Sequence, residues 1–127
     1  MYYDKPVNKK TARLLHEVGY RENCRLYDWI KIGKNEKLIR KPFLDQAIDW
    51  IRRTADFHIT IRPTISLSMR EKGDWAFEIF LSHTRIIDSE TMSWHYPDFK
   101  PKAYKTINTA KEAAIQTTIQ VVCEYRG

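Results

Sequence analysis

At 127 residues, with 43% apolar and 30% charged side chains, the chain is long enough for one domain with a real core and too short for two. That composition excludes general disorder, and two cysteines exclude a cysteine-dense secreted scaffold. The formal charge of +6 is concentrated at the front: residues 1–41 carry a net +6, residues 42–72 +1, residues 73–98 −4 and residues 99–127 +3, a polarity that suits an acidic partner such as a phosphate backbone and equally suits a protein that is merely soluble.

The first predicted helix covers 9–18. Asn8 is a good N-cap, Val7 and Ala12 stand at the positions of a hydrophobic staple, and Ala12, Leu14, Leu15 and Val18 form the apolar stripe. Gly19 ends the helix as the left-handed residue, and Tyr20 folds back on Leu15. "CRLYDWIKIGKNEKLIRK" then reads as a β-hairpin, with Leu26, Asp28 and Ile30 alternating against Arg25, Tyr27 and Trp29 and a turn at Gly33-Lys34-Asn35. Its return strand is short, and a long loop is the alternative. Lys31, Lys34, Lys37, Arg40 and Lys41 make it strongly basic, which also discourages edge-to-edge association.

Pro42 opens the next helix, predicted over 43–54. Leu44, Ala47, Ile48 and Ile51 make its stripe, extended by Phe43 and Trp50. Asp49 lies three and four residues before Arg52 and Arg53, the spacing of helical ion pairs, so the arginines are neutralised locally and Trp50 turns to the core side. Phe57, Ile59 and Ile61 alternate with His58, Thr60 and Arg62 as a half-buried strand, limited beyond by Pro63. A turn at 71–74 leads to "WAFEIFLSH", where Trp75, Phe77, Ile79 and Leu81 alternate with Ala76, Glu78, Phe80 and Ser82 in a second hairpin. "RII" after it could add a short strand. Residues 83–106 otherwise read as a long loop whose aromatics, Trp94, Tyr96, Phe99 and Tyr104, call for packing on something. The last helix is predicted from Thr109, with Glu112 completing a capping box. Ala110, Ala113, Ala114, Thr117 and Val121 form a small-residue face beside a larger one of Ile115, Thr118, Ile119 and Val122, so the helix is buried on two sides: by the sheet, and by the first helix or a second copy of the chain.

Little in the sequence points to chemistry. The glycines at 19, 33, 73 and 127 are too scattered for a phosphate loop, and neither G-x-S-x-G nor H-E-x-x-H occurs. His83, Asp88, Glu90, His95 and Asp98 gather in the weakly readable region, but no third ligand stands at a diagnostic spacing. The expectation is a non-enzymatic protein without metal or cofactor. No stretch approaches the roughly 20 apolar residues of a membrane span, and "MYYDKPVNKK" lacks a signal peptide's apolar stretch, so the expected setting is cytoplasmic.

"TAKEAAIQ" resembles the closing helix of double-stranded RNA-binding domains, which implies nucleic-acid contact. Asn108-Thr109 replaces the lysine pair expected there, leaving Lys105 and Lys111, and the helix at 43–54 breaks that family's order of elements. A more extensive resemblance runs through "TARLLHEVGY", "AIDWIRRTADFHITI" and "YKTINTAKEAAIQTTIQVV". These segments resemble a family of small uncharacterised proteins of Bacteroides-type gut bacteria and their prophages or mobile elements, with its TA-x-x-L-L-x-x-x-G-aromatic opening and A-x-x-W-[LI]-R helix entering an H-I-x-I strand. The resemblance covers about two-thirds of the chain and implies a bacterial, phage- or mobile-element accessory role; it carries no activity or site.

The sequence therefore predicts a single α+β domain over 1–127, two-layered, with helices on an antiparallel sheet in the order α-β-β-α-β-β-α. The leading functional expectation is an accessory or protein-interaction protein, homodimeric, using Ile115, Ile119, Val122, Trp94 and Tyr96. The alternative is a nucleic-acid-binding module using Lys31, Lys34, Lys37, Arg40 and Lys41. A third reading, a small enzyme or metal protein, would use His83, His95 and Asp98.

Overall fold

The structure, a computed structural model, describes residues 4–91 and 100–126. Trp94, His95, Tyr96, Asp98 and Phe99 lie outside the described residues. The chain forms an α+β fold: α1 (Lys9–Glu17), β1 (Tyr27–Ile32), β2 (Asn35–Arg40), α2 (Leu44–Ala55), β3 (Phe57–Pro63), the single turn α3 (Leu67–Arg70), β4 (Trp75–Leu81), β5 (Thr84–Asp88) and α4 (Ile107–Arg126). The predicted order holds, with α3 added and the short strand offered at "RII" present as β5. The strands do not make one sheet: β1 and β2 stand alone as an antiparallel pair, and β3-β4-β5 form a separate antiparallel sheet.

Local chemistry explains α1. Asn8 Oδ1 accepts from Thr11 N at 2.8 Å, and Val7 and Ala12 are both fully buried. At the other end Gly19 takes φ +102°, Gly19 N donates to His16 O and Tyr20 N to Leu15 O, the paired closure a left-handed glycine permits. Tyr20 is thereby buried and meets Trp50 of α2 edge-on, ring centroids 5.2 Å apart. In the β1-β2 hairpin Ile32 pairs with Asn35, so the loop is the two residues Gly33-Lys34, with Gly33 at φ +63°. Positive φ at the first loop position matches the twist of the strands. The return strand is as long as β1.

α2 begins one residue later than predicted. Pro42 precedes the cap: its carbonyl accepts from Val7 N at 2.8 Å, tying the segment before α1 to the entrance of α2. The predicted ion pairs form, Arg52 to Asp49 at 2.7 Å and Arg53 to Asp49 at 2.8 Å, and Arg53 also reaches Glu22 at 2.8 Å.

In the larger sheet Phe57, Ile59 and Ile61 pair with Leu81, Ile79 and Phe77 on the face covered by α4 and α2. A register shift at Ile79/Phe80 buries the consecutive Ile86 and Ile87 of β5, as a bulge allows. The opposite face carries the principal charge cluster of the sheet. Arg62 bonds Asp88 (2.8 and 2.9 Å) and Glu90 (2.7 Å) and lies 3.4 Å from Glu78. Glu90 in turn accepts from Ile65 N and Ser66 N, pinning the approach to α3.

α4 is the central pillar, in contact with α1, α2, β3 and β4. It starts before Thr109: Thr106 Oγ1 accepts from Thr109 N and Thr106 O from Ala110 N, so Thr106 caps the helix. Glu112 does not close a capping box but accepts Asn8 N, at the head of α1, at 2.6 Å. Gln116 likewise donates to Thr11 Oγ1 at 2.8 Å. These contacts make α1 the second cover of the broad apolar surface of α4.

Candidate nucleic-acid interface

Packing decides which predicted contact residues remain available. Ile115 is fully buried and Ile119 only 4% exposed. Both belong to the core built with Phe77, Ile79 and Leu15, which corrects their assignment as a surface for another chain: the sheet and α1 occupy the space a second copy would need. Val122 is half-buried and lines a small slot of about 90 Å³ between the C-terminal end of α1, α2 and α4. Trp94 and Tyr96, the loop half of that reading, lie outside the described residues. Lys111 is also internal; it is buried and paired with Asp45, so it is not a lysine for duplex RNA.

The residues of the enzyme or metal reading do not converge. His83 is exposed in the β4–β5 turn, and His95 and Asp98 lie outside the described residues. Asp88 and Glu90 are committed to Arg62. Among the described residues no three of His, Cys, Asp and Glu group as metal ligands. Asp56 accepts from Ser82 Oγ at 2.7 Å and sits 3.1 Å from His58 Nε2, but the carboxylate stands between the hydroxyl and the imidazole, so the ring has no route to the serine proton.

Exposed apolar side chains occur at Ile65 and Leu67, around the start of α3, and as a group on the hairpin. Tyr27 and Trp29 of β1 and Leu38 of β2 are 46%, 56% and 46% exposed. The register pairs Trp29 with Leu38, Tyr27 with Arg40 and Lys31 with Glu36, which sets all six on one face, since alternate residues share a side of the pleat. The opposite face turns Ile30 and Ile39 into the core. A groove of about 570 Å³ runs between the hairpin and α1, lined by Lys9, Lys10 and Arg13 of α1 and Trp29, Ile30, Lys31 and Glu36.

Of the five predicted basic residues, Lys31, Lys34 and Lys37 are exposed. Arg40 is half-buried, and Lys41 is half-buried with Nζ 3.6 Å from Asp28 Oδ2, so these two leave the candidate surface. Lys9, Lys10 and Arg13 replace them. Arg13 has an exposed partner in Glu17 at 3.4 Å, a weak, solvent-screened pair. Lys9, Lys10, Lys31, Lys34 and Lys37 have no carboxylate within 4 Å among the described residues. This cationic field reaches His16 on α1: burial first, then Arg21, Lys37 and Arg40, hold its imidazole below the usual histidine pKa, against an opposing pull from Glu17. The spacing Lys9-Lys10-x-x-Arg13 on the polar side of α1 was the sequence signal for the missing half of the groove. Its neighbour across space, twenty residues on, was not coded locally.

No protein-family model matches the chain, and neither a curated protein nor a solved structure is similar enough to count as a match. Among the described residues no helix is long and apolar enough to cross a membrane.

Proposed function

We propose that the chain is a non-enzymatic nucleic-acid-binding module that takes the phosphate backbone on the α1–hairpin face. The observation that supports this reading is that Lys9, Lys10 and Lys31 line one groove with exposed Trp29 and, like Lys34 and Lys37 of the same hairpin, have no carboxylate within 4 Å among the described residues. By contrast, Arg52, Arg53, Arg62 and Arg85 all have carboxylates within 4 Å. Lysines are depleted in protein–protein interfaces and enriched where phosphates are bound, which favours a polyanion over a folded protein partner. The accessory role in a phage or mobile-element setting rests on the sequence resemblance alone.

Mobility shifts at rising salt test the reading. Binding should fall with log salt at a slope of about −4 if the five lysines and Arg13 each displace a counterion from a single strand. Replacing Lys9, Lys10 and Lys31 by Gln should flatten the slope. Absence of any shift at low salt refutes the proposal.

A further inference from the structure

We infer that the nucleic acid is single-stranded, with one base stacked on the exposed indole of Trp29 while Lys9, Lys10, Arg13 and Lys31 hold the flanking phosphates. This rests on the preceding reading of the face and names its ligand class.

Three observations point there. Trp29 is 56% exposed, whereas Trp50 packs on Tyr20. A protein of this size gains from burying an indole, so one left open beside unneutralised lysines is a platform awaiting a flat apolar partner. Second, Trp29 lies in the same groove as the four cations, and the groove volume of about 570 Å³ is of the size that takes a small-molecule ligand, here a nucleotide unit. Third, the residues that share its face of the hairpin are wrong for duplex readout. A two-stranded ribbon can enter a major groove, but there it reads base edges through paired donors and acceptors. At the centre of this face Tyr27, Trp29 and Leu38 present rings and an aliphatic side chain instead, with Lys31, Glu36 and Arg40 at its ends. Duplex bases have their flat faces covered by neighbours, and an indole can stack only on a base that is free of the helix. Glu36, opposite Lys31, lies at the groove wall and disfavours a phosphate at that spot, which leaves the α1 side of the groove for the backbone.

The test compares a labelled oligothymidine of about twelve nucleotides, the matching oligouridine and a duplex containing the same thymidine run. Wild type, Trp29→Ala, Trp29→Phe and Lys31→Gln are titrated by fluorescence anisotropy at two salt concentrations, and melting temperatures check that each is folded. The single strands should bind at least tenfold tighter than the duplex. Trp29→Ala should lose roughly 5- to 150-fold on single strands, the range for one stacked base, with the salt slope unchanged. Trp29→Phe should recover most of that loss, and Lys31→Gln should reduce the slope by about 0.7. Duplex binding equal to or tighter than single-strand binding, or an unchanged affinity for Trp29→Ala, overturns the inference while nucleic-acid binding stands. Equal competition by polyglutamate also overturns it and points to an acidic polypeptide. No binding to any nucleic acid at low salt removes both this inference and the reading on which it rests.

Discussion

Replacing Arg62 by Leu should destabilise the protein more than any other single change on the open face of the β3-β4-β5 sheet. Arg62 is 19% exposed, and its partners Asp88, Glu90 and Glu78 are 7%, 5% and 16% exposed. Leucine fills part of the volume but leaves three carboxylates with little water and without the Arg62 guanidinium. Arg85 still reaches Glu78 at 3.0 Å and Asp88 at 3.4 Å, so Glu90 suffers most. Removing one partner of a buried ion pair costs about 3–5 kcal/mol. With an unfolding entropy near 2.1 cal/mol/K per residue, that is a fall of roughly 10–20 °C in melting temperature for a chain of this length. The loss should depend on pH in a defined direction. In the wild type burial pushes the Glu90 carboxyl up, but the Ile65 and Ser66 amides and Arg62 outweigh it and hold the pKa below its ordinary value of 4.5. Its folded pKa being depressed, Glu90 stabilises the wild type above its ordinary pKa, and that contribution disappears as pH falls through the folded value. Without Arg62 the Glu90 carboxyl loses one of the groups that hold its pKa down, so the variant's deficit is full at pH 7 and shrinks as protonation relieves it. Thermal melts of both proteins at pH 7 and pH 5 measure this. A variant melting within 3 °C of wild type at pH 7, or a deficit that grows on acidification, refutes the reasoning.

Gly73→Ala should destabilise by at least about 2 kcal/mol, because a Cβ there would lie 2.5–2.6 Å from the backbone of Tyr104 and force apart the Trp75–Tyr104 bridge bonds of 2.9 and 2.7 Å; an unchanged urea midpoint would show that the segment yields freely. Ile115→Ala should cost about 2–5 kcal/mol as a core truncation, while Trp29→Ala stays within about 0.5 kcal/mol of wild type; the reverse ranking in denaturant melts would mean that α4, not the hairpin, presents the open face. His16, whose folded pKa is depressed, should favour unfolding as pH drops: its contribution is complete above about 6.5 and is lost as pH falls toward the folded value. His16→Gln should therefore lose less stability than wild type between pH 7.5 and 5.5, and parallel losses in urea melts would refute this.

The elements that could be read from the sequence were those whose signals lie within a few residues. Asn8 and Gly19 bracket α1 because a side-chain cap and a left-handed residue act on the turn beside them. Asp49 finds both arginines because helical spacing puts them there. Periodicity failed where tertiary structure bends it. In β5 the bulge buries Ile86 and Ile87 in succession, so the two-residue alternation of a strand was absent. Glu112 had the spacing of a capping partner, but Asn8 N offered a bond across 104 residues. Both hairpins were readable, yet whether their edges join is set by where α1 and α2 lie between them, and nothing in either strand records it. The site suffered in the same way: the hairpin lysines were visible, but half of the groove is supplied by α1.

The two kinds of cation in this fold bear different physical consequences. Arg62 was brought to nearly buried carboxylates on other segments, so truncating it is felt first as lost stability, because Glu90 loses its guanidinium partner. Lys9, Lys10 and Lys31 hold no such partner among the described residues, and their mutual repulsion costs the free protein stability while raising the local potential. Neutralising Lys9, Lys10 and Lys31 with Gln should therefore leave the melting temperature unchanged or raise it by a few degrees at low salt, and the gain should vanish at high salt as screening removes the repulsion. The same triple variant should lose most of its affinity for oligothymidine. A fall in melting temperature at low salt would mean that these lysines serve the fold after all, and that the groove they line is structural surface rather than a place for phosphates.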